Sequence, residues 1–131
     1  MFIAVPSQAP TSFNVTAQTS TSVTASWQSP PEHARNGNLT GFKLLYTQRG
    51  VSKTCPTILT INSSANPVTN VSELEKYTEY EFQVLAYTVA GDGPKSSSVI
   101  LRTKEDGKRL LIISLDKLYY FTQIIAWLLS T

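Results

Sequence analysis

Acid–base or nucleophilic catalysis needs a reactive side chain and a proton acceptor within reach of each other. This chain offers one histidine, His33, and one cysteine, Cys55. His33 follows Glu32 in a stretch punctuated by Pro30-Pro31 and Asn36-Gly37, which reads as a solvated loop with no nucleophile at a useful spacing. One His and one Cys do not make a metal ligand set. A single cysteine cannot close a disulfide inside the chain. Cys55 reads as a quiet, partly buried thiol, with an intermolecular disulfide as the alternative. No catalytic, metal or cofactor constellation is expected.

The chemistry the residues do offer is modification. Asn14-Val15-Thr16, Asn38-Leu39-Thr40, Asn62-Ser63-Ser64 and Asn70-Val71-Ser72 match the N-glycosylation acceptor pattern, and Asn66-Pro67 is excluded by its proline. Chance would supply about 1.4 such matches at this Ser and Thr content, so four is an excess. A glycan needs solvent. Asn14 and Asn70 fall on the outward phase of their segments, and Asn38 and Asn62 fall at segment ends.

Alternating segments must position these residues. With 131 residues, 41% hydrophobic and 15% charged, the chain can build one core. The net charge of +2 gives no field suited to nucleic acid. Period-two runs cover 12–17, 22–27, 41–47, 58–61, 67–72, 79–89 and 97–103. Their inward residues include Val23, Ala25 and Trp27; Phe42, Leu44 and Tyr46; and Tyr80, Phe82, Val84 and Ala86. Such patterning predicts seven antiparallel strands in an all-β two-sheet sandwich.

These residues resemble a fibronectin type III domain. The resemblance rests on Pro10 with Phe13 and Val15, on Val23-x-Ala25-x-Trp27 before Pro30-Pro31, and on Gly41-Phe42-x-Leu44-x-Tyr46. It rests further on Leu74-x-x-x-Thr78-x-Tyr80-x-Phe82-x-Val84-x-Ala86 and Gly91-x-Gly93-Pro94. The resemblance implies that Trp27 fills the sandwich centre from the second strand. It also implies that Tyr80 forms a tyrosine corner, with Leu74 plugging the core beside it. Lys76 stands where the family usually has proline, which implies a looser corner. Residues 90–95, where some members carry an Arg-Gly-Asp integrin signal, read Ala-Gly-Asp-Gly-Pro-Lys. The narrower likeness is to modules of cell-adhesion and axon-guidance receptors and of receptor tyrosine phosphatases.

Residues 1–7 read as a linker or leader remnant, 8–104 as the domain, and 105–131 as a charged hinge followed by an apolar, helix-compatible tail. The start, Met1–Val5 before Pro6, is too short for a secretory leader, and the chain is read as a fragment of a multidomain protein. The tail over 110–129 has the length of a membrane span but carries Asp116 and Lys117 near its centre. A span, a poorly ordered end and translated sequence outside the coding frame all remain open. By alternation, Leu45, Leu85, Tyr87 and Ile100 face away from the core and would form an apolar contact patch. The functional expectation is a non-catalytic extracellular interaction or spacer module with tandem neighbours and an unidentified protein partner. The alternative is an accessory module of a larger enzyme such as a receptor tyrosine phosphatase.

Overall fold

β-branched and aromatic residues alternating with Ser and Thr suit a half-buried pleated surface, and the chain forms strands at each such run. The structure is a computed structural model describing residues 4–51, 55–65 and 67–105. In chain order it contains β1 (Thr11–Ala17), β2 (Val23–Gln28), α1 (Glu32–Arg35), β3 (Gly41–Gln48), β4 (Thr57–Ile61), β5 (Val68–Val71), β6 (Glu79–Thr88), β7 (Gly91–Asp92) and β8 (Val99–Arg102). One sheet has the order β1-β2-β5. The other runs β4-β3-β6, with β7 and β8 both pairing with β6. All pairings are antiparallel.

The seven expected strands are present, and β7 is an eighth. It is a two-residue ladder, Tyr87 opposite Asp92 and Thr88 opposite Gly91, made as the chain turns after β6. The Pro-Pro loop also holds a single helical turn, α1. Its C-cap, Asn36, takes the left-handed conformation that asparagine tolerates.

The inner faces of the two sheets meet in one apolar layer. Val23, Ala25 and Trp27 from β2 and Phe42, Leu44, Phe82, Val84 and Ala86 from β3 and β6 are all buried. Trp27 meets Phe42 edge-on across the sheets, with ring centroids 5.3 Å apart. Phe13 of β1 lies 6.5 Å from the same indole. The Trp27 Nε1 proton is buried and meets no hydrogen-bond acceptor among the described residues. That orphan donor carries a desolvation cost, so the ring's contribution is one of volume and contact.

Residues 4–7, expected as a linker, lie against the sandwich as a strap. The Ala4 N–H donates to the Asn36 carbonyl at 2.9 Å, and the Ser7 N–H donates to the Ala34 carbonyl at 2.8 Å. Asn36 Nδ2 donates to the Val5 carbonyl at 2.9 Å, and Thr88 Oγ1 donates to the Ala4 carbonyl at 2.9 Å. Pro6 is fully buried. It approaches Gly93 so closely that a Cβ there would lie 2.8 Å from the Pro6 Cβ, which is why only glycine fits. The tail over 110–129 and the hinge beyond Glu105 fall outside the described residues. Among the described residues no helix is long and apolar enough to cross a membrane.

Trp27→Ala is expected to lower unfolding free energy by about 3–5 kcal/mol, read from chemical denaturation. A variant that unfolds at the wild-type midpoint would show that the ring is not central to the sandwich.

Candidate interaction surface

Alternation assigns a side chain to a face, and burial depends on what neighbours cover it. Leu45 and Leu85 do lie on the outer face of the β3–β6 ladder, but they are only 6% and 3% exposed. The expected apolar patch is therefore corrected. β3 and β6 are the two central strands, and the register places Leu45 opposite Gln83 and Lys43 opposite Leu85. These long side chains share the outer face with the leucines. Lys43 runs across it, with Nζ 5.2 Å from the Tyr87 ring centroid and 2.8 Å from the Asp92 carboxylate. Its methylene stem supplies apolar cover while its charge stays wet. Tyr87 is half-buried. Of the four expected patch residues, only Ile100, 49% exposed, presents a free apolar surface.

Tyr80 behaves as the resemblance implied. Its buried hydroxyl accepts the Glu75 N–H at 2.8 Å. Leu74 is buried beside it and donates its N–H to the Thr21 carbonyl, tying the corner to the opposite sheet. The corner closes without a proline at 76. Thr103, a buried hydroxyl that sequence reasoning passed over, supplies the extra hold. Its Oγ1 donates to the Glu75 carbonyl at 2.7 Å and accepts the Thr78 N–H at 2.9 Å. Nothing in a Thr at a strand end distinguishes it from its solvated neighbours, so only the fold reveals it.

Beside this corner lies a charge cluster that the sequence did not announce, because its members are 23 and 30 residues apart. Arg102 donates to Glu79 at 2.9 Å and Arg49 donates to it at 3.0 Å. Arg102 also stacks 4.7 Å above the centroid of the Tyr77 ring. The hydrogen bond from Arg102, with the nearby Arg49 charge, holds the Glu79 carboxyl below its ordinary range. Burial, with Tyr80 and Glu73 adding, pushes the Tyr46 hydroxyl up.

Cys55 is exposed, which corrects the expectation of a partly buried thiol. It shares with Tyr46, Glu73 and Tyr80 the rim of an open cleft of about 350 Å³. His33 and Glu32 are exposed on α1. Among the described residues no group of three or more His, Cys, Asp or Glu side chains is placed to hold a metal.

All four acceptor asparagines, Asn14, Asn38, Asn62 and Asn70, are exposed. Two are oriented by hydroxyl donors. Thr24 Oγ1 donates to Asn70 Oδ1 at 2.8 Å, and Tyr87 donates to Asn62 Oδ1 at 2.7 Å.

A profile of the fibronectin type III domain matches residues 8–102. The chain belongs to the fibronectin type III family. Among proteins it is similar to, Tyrosine-protein phosphatase Lar of Drosophila melanogaster is 36% identical over 102 residues, 78% of this chain and 5% of that protein. Cell adhesion molecule DSCAM of Homo sapiens is 38% identical over the same share of each. The chain thus spans only a small part of these relatives. The crystal structure of the FN5 domain of Drosophila Lar superposes with a TM-score of 0.63 at 27% identity, covering 78% of this chain and 100% of that one.

Two outcomes follow for this fibronectin type III domain. Leu85→Ala is expected to cost about 2–5 kcal/mol in denaturant unfolding, whereas Ile100→Lys changes stability by no more than about 0.5 kcal/mol. Equal effects would mean the outer face is open as alternation alone suggests. The second outcome concerns pH. Glu79 has a depressed carboxyl pKa in the folded state. Its contribution is present above the ordinary glutamate pKa and is lost as pH falls through the folded value. A melting curve against pH should therefore show a steeper acid limb in wild type than in Glu79→Gln, and parallel limbs would dismiss the cluster as a contributor.

Proposed function

We propose that this domain is a non-catalytic extracellular or cell-surface module that binds protein partners or spaces tandem neighbours. One observation carries the reading. The loops over 30–39 and 90–95, where specificity would reside, are each held by the strap, the first through Asn36 and Ala34 and the second through the Pro6–Gly93 contact, with Thr88 at the end of β6 bonded to the strap as well. Loops fixed before binding lose little conformational freedom on association, which favours a recognition surface over a passive connection. The exposed acceptor asparagines and the likeness to a protein named as a cell adhesion molecule support the extracellular placement.

A second reading has its own support. The likeness to a tyrosine-protein phosphatase fits an accessory module of a larger enzyme, and the domains encoded next to this one in the full-length transcript would decide between the two. The first reading is tested by presenting the secreted chain to intact cells. Saturable binding is expected, weakened about tenfold by combined changes in the two loops (Glu32→Ala, His33→Ala and Lys95→Glu) with an unchanged melting temperature. Binding indifferent to the loops, or absent, overturns the partner-binding role and leaves only spacing.

A further inference from the structure

The two sheets differ in charge. No residue of β1, β2 or β5 is acidic or basic. The outward positions of that sheet are Ser, Thr, Asn, Gln and one exposed valine, Val68. The same sheet has two edges with no further ladder partner, β1 and β5, because β2 lies between them, and the start of β1 lies beside the segment leading into β8. β4, the edge of the second sheet, is also uncharged and exposes Ile58. Neutral, β-prone edge strands are templates for pairing with another chain, and natural sheets guard them with charge, proline, bulges or cover. The irregular register between Thr11 and Asn14 and the proline before Val68 disturb only the entry of β1 and β5.

The acceptor asparagines fall on these edges. Asn14 is on β1 and Asn70 is on β5. They flank β2 through the registers Asn14 with Ser26 and Thr24 with Asn70, which puts them about 12 Å apart, two strand spacings across and two residues along. Asn62 follows directly on the last residue of β4. The remaining edge segments, β7 and β8, have no acceptor, and they carry Asp92 and Arg102, paired to Lys43 and Glu79. Thus each edge strand has either a charge or an acceptor asparagine on or next to it.

The geometry points to N-linked glycans at Asn14, Asn62 and Asn70 that serve as edge guards in place of charge. This rests on the extracellular reading above. The donor is a lipid-pyrophosphate-linked oligosaccharide. The asparagine Nδ2 forms a bond to the sugar C1, the C1–O bond to the pyrophosphate breaks, the lipid pyrophosphate leaves with the electron pair, and the amide gives one proton to solvent. A bulky hydrated chain on an edge strand prevents a second strand from approaching to hydrogen-bonding distance. Asn38, in the loop before β3, guards no edge and serves as the control.

The test is the full chain, exported with a heterologous leader, followed by site-resolved mass spectrometry and light scattering after size separation. Asn14, Asn62 and Asn70 are expected to be occupied and the protein to be one low-mass species. Thr16→Ala with Ser72→Ala removes two acceptors while keeping both asparagines. It should at least double the weight-average mass, and Thr40→Ala should not. Glycosidase treatment of folded wild type should reproduce the shift without any substitution, which separates edge exposure from misfolding. Asn14→Lys with Asn70→Lys should keep the low-mass species although those two positions carry no sugar. Empty sites after export, or a sugar-free chain as monodisperse as the glycosylated one, overturn the inference. Because the leader forces export, occupied sites with unchanged association sink the guard role alone. Absence of the native chain from the cell exterior sinks the extracellular reading instead.

Discussion

The sandwich depends on closing two sheets over one apolar layer with no covalent link between them. The chain's one cysteine makes no disulfide within it, so the sheets are joined by packing and a few backbone ties. Trp27 against Phe42 is the centre of that joint. It unites β2 of one sheet with β3 of the other, and Phe13, Val23 and Phe82 complete the same layer. Its strength comes from area and interlocking rather than direction, since the indole N–H meets no acceptor among the described residues. A joint of that kind fixes how close the sheets lie but says little about how they are aligned along the strands.

Alignment comes from the polar ties at each pole. At one, Tyr80, Glu75, Thr78 and Thr103 form a closed set of hydrogen bonds that anchors the turn before β6 to the residue just past β8. Leu74 reaches the opposite sheet through Thr21. At the other pole, the strap over 4–7 holds the loops over 30–39 and 90–95. Between the poles, Ser96 accepts the Val84 N–H at 3.0 Å and keeps the chain on β6 before β8 begins. Directional bonds at the ends and non-directional packing in the middle divide the work of specifying one arrangement.

Much of this was legible in the residues. The period-two apolar positions within Glu79–Thr88 and Gly41–Gln48 identified both central strands and their inner faces, because a strand turns successive side chains to opposite faces. Trp27, Leu74 and Tyr80 were legible through the resemblance, each at a position with a fixed structural role. The outer face was not. Leu45 and Leu85 are covered by side chains from a partner strand, and period says nothing about such cover. The strap was hidden because Pro6 beside Val5 looks like any linker until Gly93 is seen beneath it. The Arg49–Glu79–Arg102 cluster was hidden because sequence distance conceals adjacency made by strand pairing.

The strap also has a mechanical meaning. A module in a tethered array is loaded through its chain ends, and a pull on the N-terminal side reaches the bonds of Ala4, Val5 and Ser7 before it reaches β1. Those bonds hold the two loops in place. A pull that reached the strap would load the bonds that shape the loop pole before it loaded the Trp27 layer. The strap thus couples the N-terminal side of the domain to the shape of its loop surface.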